Sequence, residues 1–140
     1  MVDLLGILNT CKTIAVVGLS PKTDRASFGV AQYMQAHGYR IIPINPKAAV
    51  LNSRILGEKV YACLEDAATC EQIQMVNCFR NSLDIPPIAD SAVAIGAKVL
   101  WMQLGIANEV ARTKCEMNGL VVIENSCLKI EHNRLKTYLS

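Results

Sequence analysis

The chain has 140 residues, of which 51% are hydrophobic and 19% are charged, so it is long enough to fold around one core. Its 14 Lys and Arg residues against 12 Asp and Glu give a net charge of only +2, which argues against a nucleic-acid-binding protein. We expect one domain over residues 1–140. We expect no membrane span, because no apolar stretch approaches the roughly 20 residues that cross a bilayer.

The cysteines carry no recognisable metal or disulfide pattern. There is no C-x-x-C pair and no Cys/His spacing typical of zinc sites, so we expect reduced thiols and no bound metal. The N-terminus lacks the basic start and long apolar region of a secretory signal, and a cytoplasmic protein is expected. The six cysteines are Cys11, Cys63, Cys70, Cys78, Cys115 and Cys127.

Five short runs of β-branched and large apolar residues predict strands. The runs are continuous rather than alternating, which is typical of a parallel sheet covered by helices on both faces. Parallel neighbours need crossover connections, so helices are expected between the runs. The predicted strands are 13–17, 40–44, 75–79, 98–103 and 120–124.

Helix signals follow the first and third predicted strands. A helix over 27–37 is indicated by its apolar spacing and by Gly38, which can end a helix in the left-handed conformation. After the third strand, Asp84 is a candidate N-cap, two prolines occupy the first turn, and Gly96 marks the end.

The remaining two connections differ in regularity. The fourth begins with Asn108 as a candidate N-cap and ends at Gly119. The second, over 47–74, is irregular, with a loop expected around Gly57 and a short helix near 64–69.

These elements predict a single Rossmann-like, doubly wound, parallel five-stranded sheet in three α/β/α layers. Right-handed crossovers allow few strand orders, and 3-2-1-4-5 is one common solution. Ligands of such sheets bind at the carboxyl ends of the strands.

The segment after the first strand has the composition of a phosphate-binding loop. It combines a glycine, two hydroxyls and two cations with a helix N-terminus, whose free N–H groups favour anions. The alternative is a turn glycine followed by solvated charges. The segment is not a G-x-G-x-x-G, which weakens the case for generic NAD binding. The candidate residues are Gly18, Leu19, Ser20, Lys22, Arg25 and Ser27.

The end of the second strand lacks the carboxylate with which NAD enzymes hold the ribose hydroxyls. It reads Asn45, Pro46 and Lys47 instead. A lysine here would tolerate an additional phosphate, such as the 3′-phosphate of coenzyme A or the 2′-phosphate of NADP. The alternative is that these residues form only a turn.

The third and fourth strands add further candidates. Phe79 could stack on adenine and Arg80 could pair with phosphate, although a core aromatic followed by a surface cation is the simpler reading. Trp101 is expected in the core. Gln103 and Gly105 offer a polar side chain and an open backbone to a ligand.

As an ordered set, these segments resemble the small stand-alone CoA-binding proteins, whose domain is similar to the nucleotide-binding domain of succinyl-CoA synthetase α-subunits. The resemblance covers nearly the whole chain. It implies a Rossmann-like fold and coenzyme A or an acyl-CoA bound across the strand ends, with the phosphates at the first loop. The matching segments are 15–20, 38–46, 79–80, 101–105 and 129–132.

The resemblance does not imply acyl-CoA synthesis. The synthetase α-subunit uses a phosphohistidine in a further domain, and this sequence, which ends at Ser140, contains no such domain. We expect a binding protein without complete catalytic machinery. Assembly into a homo-oligomer or with an enzyme partner stays open.

Two other functions remain as alternatives. A CoA-dependent enzyme or subunit could use Cys127 near the pantetheine end, with His132 or Lys129 activating the thiol. In the simpler reading Cys127 is a small apolar residue, and the last segment is an amphipathic helix that packs Leu128, Ile130 and Leu135 onto the sheet. His37 is expected at the C-terminus of a helix, where a partly charged imidazole would complement the helix dipole.

An NAD(P)-binding oxidoreductase is the second alternative, but the sequence shows no acid and base that would converge at the strand ends.

Overall fold

The computed structural model describes residues 2–140 and contains one parallel sheet with a small separate hairpin. The hairpin, β3 with β4, lies in the irregular second connection, and the other five strands form the sheet. The strands are β1 (Thr13–Val17), β2 (Arg40–Ile44), β3 (Arg54–Ile55), β4 (Glu58–Lys59), β5 (Met75–Cys78), β6 (Val99–Met102) and β7 (Val121–Ile123).

Helices connect these strands, and short 3₁₀ turns at Ser82–Asp84 and Lys136–Tyr138 adjoin two of them. The helices are α1 (Leu4–Thr10), α2 (Ala26–Ala36), α3 (Pro46–Val50), α4 (Leu64–Ala68), α5 (Ile85–Ala94), α6 (Glu109–Met117) and α7 (Leu128–Leu135).

The five predicted strands are present, all parallel, in the order β2-β1-β5-β6-β7. In the numbering of the predicted strands this order is 2-1-3-4-5, so the order 3-2-1-4-5 is wrong for them. The place beside β2 is instead taken by Tyr61, which forms a parallel bridge with Ile44. The segment around Tyr61 therefore lies beside β2, and β5 pairs with β1.

Two buried clusters, one on each face of the sheet, confirm the three-layer architecture. Alternate residues of a strand face opposite sides. Ile14 of β1 thus belongs to a cluster that includes residues of α1, α2 and α7, and Ala15 to one that includes residues of α4, α5 and α6. Both faces are covered, which explains why the strands are continuously apolar.

Local capping explains where several helices begin. The side chain of Asn108 accepts a hydrogen bond from the Ala111 N–H at 2.9 Å, as the sequence predicted. Asp84 is the N-cap residue of α5, but its side chain makes no capping hydrogen bond. Its carboxylate pairs with Arg80, so the predicted N-cap position is confirmed, although no side-chain hydrogen bond supports it.

The last helix also differs from expectation. Leu128 is buried, but Ile130, which was expected to pack on the sheet, is 55% exposed. His132 is the buried member of α7 at 4% exposure. The helix is therefore turned so that a histidine, rather than Ile130, faces the core.

Candidate functional site

A crevice opens at the carboxyl edge of the sheet between β1 and β5. The helix after β1 covers one face of the sheet, and the helix after β5 covers the other. The two loops therefore leave neighbouring strands in opposite directions. This reversal is the usual position of ligand sites in open α/β sheets.

Gly18 fixes how closely the two loops approach. It has φ = +86°, a conformation that favours glycine. A Cβ at this position would lie 3.0 Å from the Phe79 carbonyl oxygen and 3.1 Å from the Arg80 Cδ. Its N–H donates to the Ile44 carbonyl at 2.9 Å. The glycine therefore holds the loops after β1, β2 and β5 against one another.

The loop between β1 and α2 is shaped by its own hydroxyls. The Ser20 N–H donates to the Ser27 Oγ at 3.0 Å, and the Lys22 N–H donates to the Ser20 Oγ at 3.1 Å. Ser27 is 5% exposed, so its hydroxyl closes the loop from inside. Both serines order the backbone that leads into α2.

The N-terminus of α2 has no side-chain cap. Arg25 is the N-cap residue and its side chain makes no capping hydrogen bond. The N–H groups of Ala26, Ser27 and Phe28 donate to no acceptor within residues 2–140. An eleven-residue helix thus presents free donors and its positive dipole end beside the crevice.

Asn45 ties the neighbouring loop into this arrangement. Its Nδ2 donates to the Leu19 carbonyl at 2.9 Å, and its Oδ1 accepts from the Ala48 N–H at 3.1 Å, capping α3. Asn45 is therefore more than a turn residue, since it joins the first loop to the start of α3.

Three adjoining clefts follow the crevice across the sheet. The apolar cleft, of about 400 Å³, has walls from β1, β2, α4 and α5. The central cleft, of about 280 Å³, lies over Gly18. The distal cleft, of about 420 Å³, extends along the ends of β5 and β6 to the start of α7. Arg80 lines all three.

The Arg80 guanidinium is available to an anion. The side chain is 50% exposed, and its recorded partner is Asp84, with Nη2 and Oδ2 3.5 Å apart. A single long ion pair at this exposure contributes little to stability. The other Arg80 guanidinium donors make no hydrogen bond within residues 2–140, so they can bind a ligand.

A buried amide pair underlies the distal cleft. Gln103 is 5% exposed, and its Oε1 accepts from the Leu128 N–H at 3.0 Å and from the Asn77 Nδ2 at 3.1 Å. Those two donors fix which end of the amide is the oxygen. Its Nε2 donates to none of the described residues, although Gln103 lines the cleft. The Asn77 Oδ1 is buried without a partner.

The residues considered for thiol chemistry do not assemble. Cys127 lines the distal cleft. The His132 Nδ1 lies 2.9 Å from the Tyr33 hydroxyl, and the Lys129 Nζ lies 5.5 Å from the centre of the Tyr33 ring. The His37 Nδ1 lies 2.7 Å from the Tyr33 carbonyl oxygen at the end of α2. Within the part of the chain that the structure describes, no hydrogen bond links Cys127 to these groups.

Most of the candidate site residues come together. Leu19 is fully buried, and its carbonyl accepts a hydrogen bond from Asn45. Trp101 is also fully buried, as expected. Lys22, Arg25 and Lys47 are exposed and line none of the three clefts. The candidates that line at least one cleft are Gly18, Ser20, Asn45, Pro46, Phe79, Arg80, Gln103 and Gly105.

The apolar cleft was missed by sequence reasoning. Its walls include Leu64, Leu83, Pro87 and Ile88. The prolines at 86 and 87 were interpreted only as helix-start residues. The short connection between Arg80 and Pro87 was the signal that the start of this helix also borders the site.

Most of the chain matches a known protein family. The sequence profile described as "CoA binding domain" matches residues 12–133. The chain belongs to this CoA-binding domain family. The resemblance inferred from the ordered motifs is confirmed, and the matched region contains all three clefts.

Relatives of this CoA-binding domain protein share its size. The uncharacterized protein YneT of Bacillus subtilis (strain 168) is 39% identical over 130 residues, covering 93% of this chain and 92% of that protein. A hypothetical protein from Pyrococcus horikoshii OT3 superposes with a TM-score of 0.87 at 35% identity, over 94% of this chain and 88% of the other.

The same fold occurs as one part of a larger protein. The dinucleotide-forming acetyl-coenzyme A synthetase 1 of Ca. Korarchaeum cryptofilum superposes with a TM-score of 0.70 at 20% identity, over 84% of this chain and 26% of the synthetase. This likeness shows a shared fold.

Two kinds of feature are absent from the described residues of the CoA-binding domain. None of the helices within residues 2–140 is long and apolar enough to cross a membrane. The same residues contain no group of three or more His, Cys, Asp and Glu side chains arranged to hold a metal ion.

Proposed function

We propose that this protein binds coenzyme A across the carboxyl edge of its sheet, with the pyrophosphate in the central cleft. The adenine occupies the apolar cleft and the pantetheine arm occupies the distal cleft. The observation that carries this proposal is the position of Arg80, which lines all three clefts beside the uncapped N-terminus of α2.

Coenzyme A has the same three-part layout as the clefts. Its charged pyrophosphate lies between a planar ring system and a long amide-containing arm. A guanidinium that borders the central cleft can pair with two phosphate oxygens, and the free N–H groups of the first turn of α2 supply further donors. Arg80 borders the central cleft, and Ala26, the first residue of α2, borders the adjoining distal cleft, so the charge and the N–H donors lie on neighbouring parts of the crevice.

The end clefts differ in their lining residues, which supports one direction for the ligand. The apolar cleft is bordered by Ile44, Leu64, Pro87 and Ile88, side chains that suit a flat base. The distal cleft contains the Gln103 amide, which can donate to a carbonyl of the arm. Phe79 lines the central and distal clefts but not the apolar one, so its stacking on adenine is not part of this arrangement.

Lys47 is proposed to attract the 3′-phosphate. It follows Pro46, which borders both the apolar and the central clefts. The side chain is exposed and has no recorded ion-pair partner among residues 2–140. An ammonium here distinguishes coenzyme A from nucleotides that lack a third phosphate group.

We further propose binding without turnover. Catalysis of acyl transfer needs a nucleophile in reach of a base. The buried His132 is engaged with Tyr33, and Cys127 has no hydrogen-bonded base within residues 2–140. These placements favour a carrier or sensor of coenzyme A, or of an acyl-CoA, over an independent enzyme.

Calorimetry tests the ligand assignment. Coenzyme A, dephospho-coenzyme A and NADH are titrated at equal salt into the wild-type protein. Coenzyme A is expected to bind most tightly, and Lys47→Ala is expected to reduce its advantage over dephospho-coenzyme A. Lys98→Ala is the matched control, because Lys98 is an exposed lysine just before β6, at the opposite edge of the sheet. Tighter binding of NADH than of coenzyme A would contradict the proposal.

A further inference from the structure

The distal cleft has a thiol in its wall next to a partly unsatisfied amide. Cys127 is the N-cap residue of α7, and its side chain makes no capping hydrogen bond. It is half-buried, belongs to no disulfide, and its Sγ has no hydrogen-bond partner within residues 2–140. The side chain packs against the core, but its sulfur makes no hydrogen bond within residues 2–140 that a reaction would break.

A second observation points to a ligand beside this thiol. Gln103 is 95% buried, yet its Nε2 has no partner within residues 2–140. Its Oε1 is held by the N–H of Leu128, the residue that follows Cys127. The amide and the thiol therefore belong to one small region of the cleft wall. The Nε2 itself is open to the distal cleft, so it can donate to a carbonyl of a molecule bound there.

We propose that Cys127 forms a reversible mixed disulfide with coenzyme A. The protein then binds the coenzyme covalently when free coenzyme A is oxidised to its disulfide. This inference rests on the proposed function and on the arm lying in the distal cleft. In that direction the sulfur at the end of the pantetheine arm approaches the wall that carries Cys127.

The co-reactant is the symmetric disulfide of coenzyme A. The Cys127 thiolate attacks one sulfur of that disulfide, forming a bond between Sγ and the attacked coenzyme A sulfur. The disulfide bond of the ligand breaks, and the second coenzyme A leaves as a thiolate that takes a proton from solvent. Cys127 is oxidised, the ligand disulfide is reduced, and a small-molecule thiol reverses the step.

The other cysteines provide internal comparisons. Cys11, Cys78 and Cys115 are buried. Cys63 borders the apolar cleft, at the opposite end of the site. Cys70 is exposed and lies outside the three clefts, and a hydrogen bond from Thr69 lowers the pKa of its thiol. Without a binding site to direct the reaction, Cys70 is the thiol expected to react first.

The test compares two disulfides on the reduced wild-type protein. Coenzyme A disulfide and glutathione disulfide are added separately, and peptide mapping by mass spectrometry assigns the modified cysteine over time. Coenzyme A disulfide is expected to modify Cys127 at least about tenfold faster than glutathione disulfide does, because binding positions the reacting sulfur. Glutathione disulfide is expected to modify chiefly Cys70.

Two variants and a binding measurement separate the outcomes. Cys127→Ser should lose the coenzyme A adduct, whereas Cys70→Ser should keep it. Modification of Cys63, or equal reactivity of Cys127 with both disulfides, would overturn the inference even if calorimetry shows that coenzyme A binds. Absence of coenzyme A binding by the wild-type protein would overturn the proposed function as well.

Discussion

At the scale of single residues, Arg80 lies centrally in the site but makes few contacts that stabilise the fold. It lines every cleft of the site, but it is half exposed and has one recorded ion pair, at 3.5 Å. Its contribution should therefore be to ligand binding rather than to folding.

Arg80→Ala is predicted to weaken coenzyme A binding by about 1.5–3 kcal/mol, the usual effect of losing a hydrogen bond to a charged group. Arg25→Ala is expected to cost less, because Arg25 borders no cleft. Calorimetry gives the affinities and urea denaturation the stability. Arg134→Ala is the control, since Arg134 is an exposed, ion-paired arginine on α7. An Arg80→Ala protein that binds as tightly as this control would remove Arg80 from the site.

Gly18→Ala is predicted to lower both stability and coenzyme A affinity. The side chain would require φ = +86° and would press on the Phe79 carbonyl, a combination expected to cost about 1–3 kcal/mol. Gly29→Ala is the matched control, because Gly29 is helical and nothing lies within 4 Å of its added Cβ. That change should raise the free energy of unfolding by about 0.5–1 kcal/mol. Equal effects of the two substitutions in urea denaturation would refute this account of Gly18.

Residue types predicted which strand ends border the crevice better than they predicted side-chain partners. Gly18 and Arg80 were identifiable because each follows a predicted strand, and such ends meet at one edge. The side-chain pairing of Asp84 was not, because a carboxylate before a helix can cap it or reach an arginine four residues earlier. Lys22 and Arg25 have suitable charges, but their exposed side chains lie outside the clefts.

At the scale of elements, α7 packs against the core through Leu128 and the buried His132. Burial, with His37, Lys12 and Lys136 nearby, lowers the pKa of His132. Tyr33 and Tyr39 also pack against its ring, with centroids 5.3 and 5.5 Å away. The neutral imidazole fits this pocket, where the Tyr33 hydroxyl can donate to Nδ1. The folded protein therefore binds a proton at His132 less readily than the unfolded chain does.

The free energy of unfolding should consequently be highest above the unfolded histidine pKa of about 6.5 and fall as the pH is lowered. Urea denaturation between about pH 8 and about pH 5 measures this dependence, in a window set by histidine titration. His132→Gln should flatten the curve in that window. An unchanged pH dependence in the variant would show that His132 does not control the docking of α7.

The strands and the long helices could be predicted because their apolar runs and end signals are local. Three elements were not predicted: α1, α3 and the β3–β4 hairpin. Residues 4–10 form α1 with an Asp3 cap, but their short apolar pattern also fits an extended segment. The hairpin has two residues in each strand, and its turn includes Leu56 at φ = +54°, which sequence patterns do not indicate.

At the scale of the whole molecule, the site follows from the order of strands. Because β5 pairs with β1, the loops that carry Gly18 and Arg80 become neighbours. The order expected from the sequence would have separated them by placing β5 beyond β2. Strand pairing depends on long-range packing, which local sequence patterns do not report, and in the folded chain Tyr61 rather than β5 lies beside β2.

The most direct test of the central claim is a crystal structure of the protein with coenzyme A. Our account predicts the pyrophosphate between the Arg80 guanidinium and the first turn of α2, the adenine against Pro87 and Ile88, and the pantetheine arm towards Gln103. Coenzyme A bound in the reverse direction would contradict the orientation. Coenzyme A bound away from the carboxyl edge of the sheet would contradict the site itself.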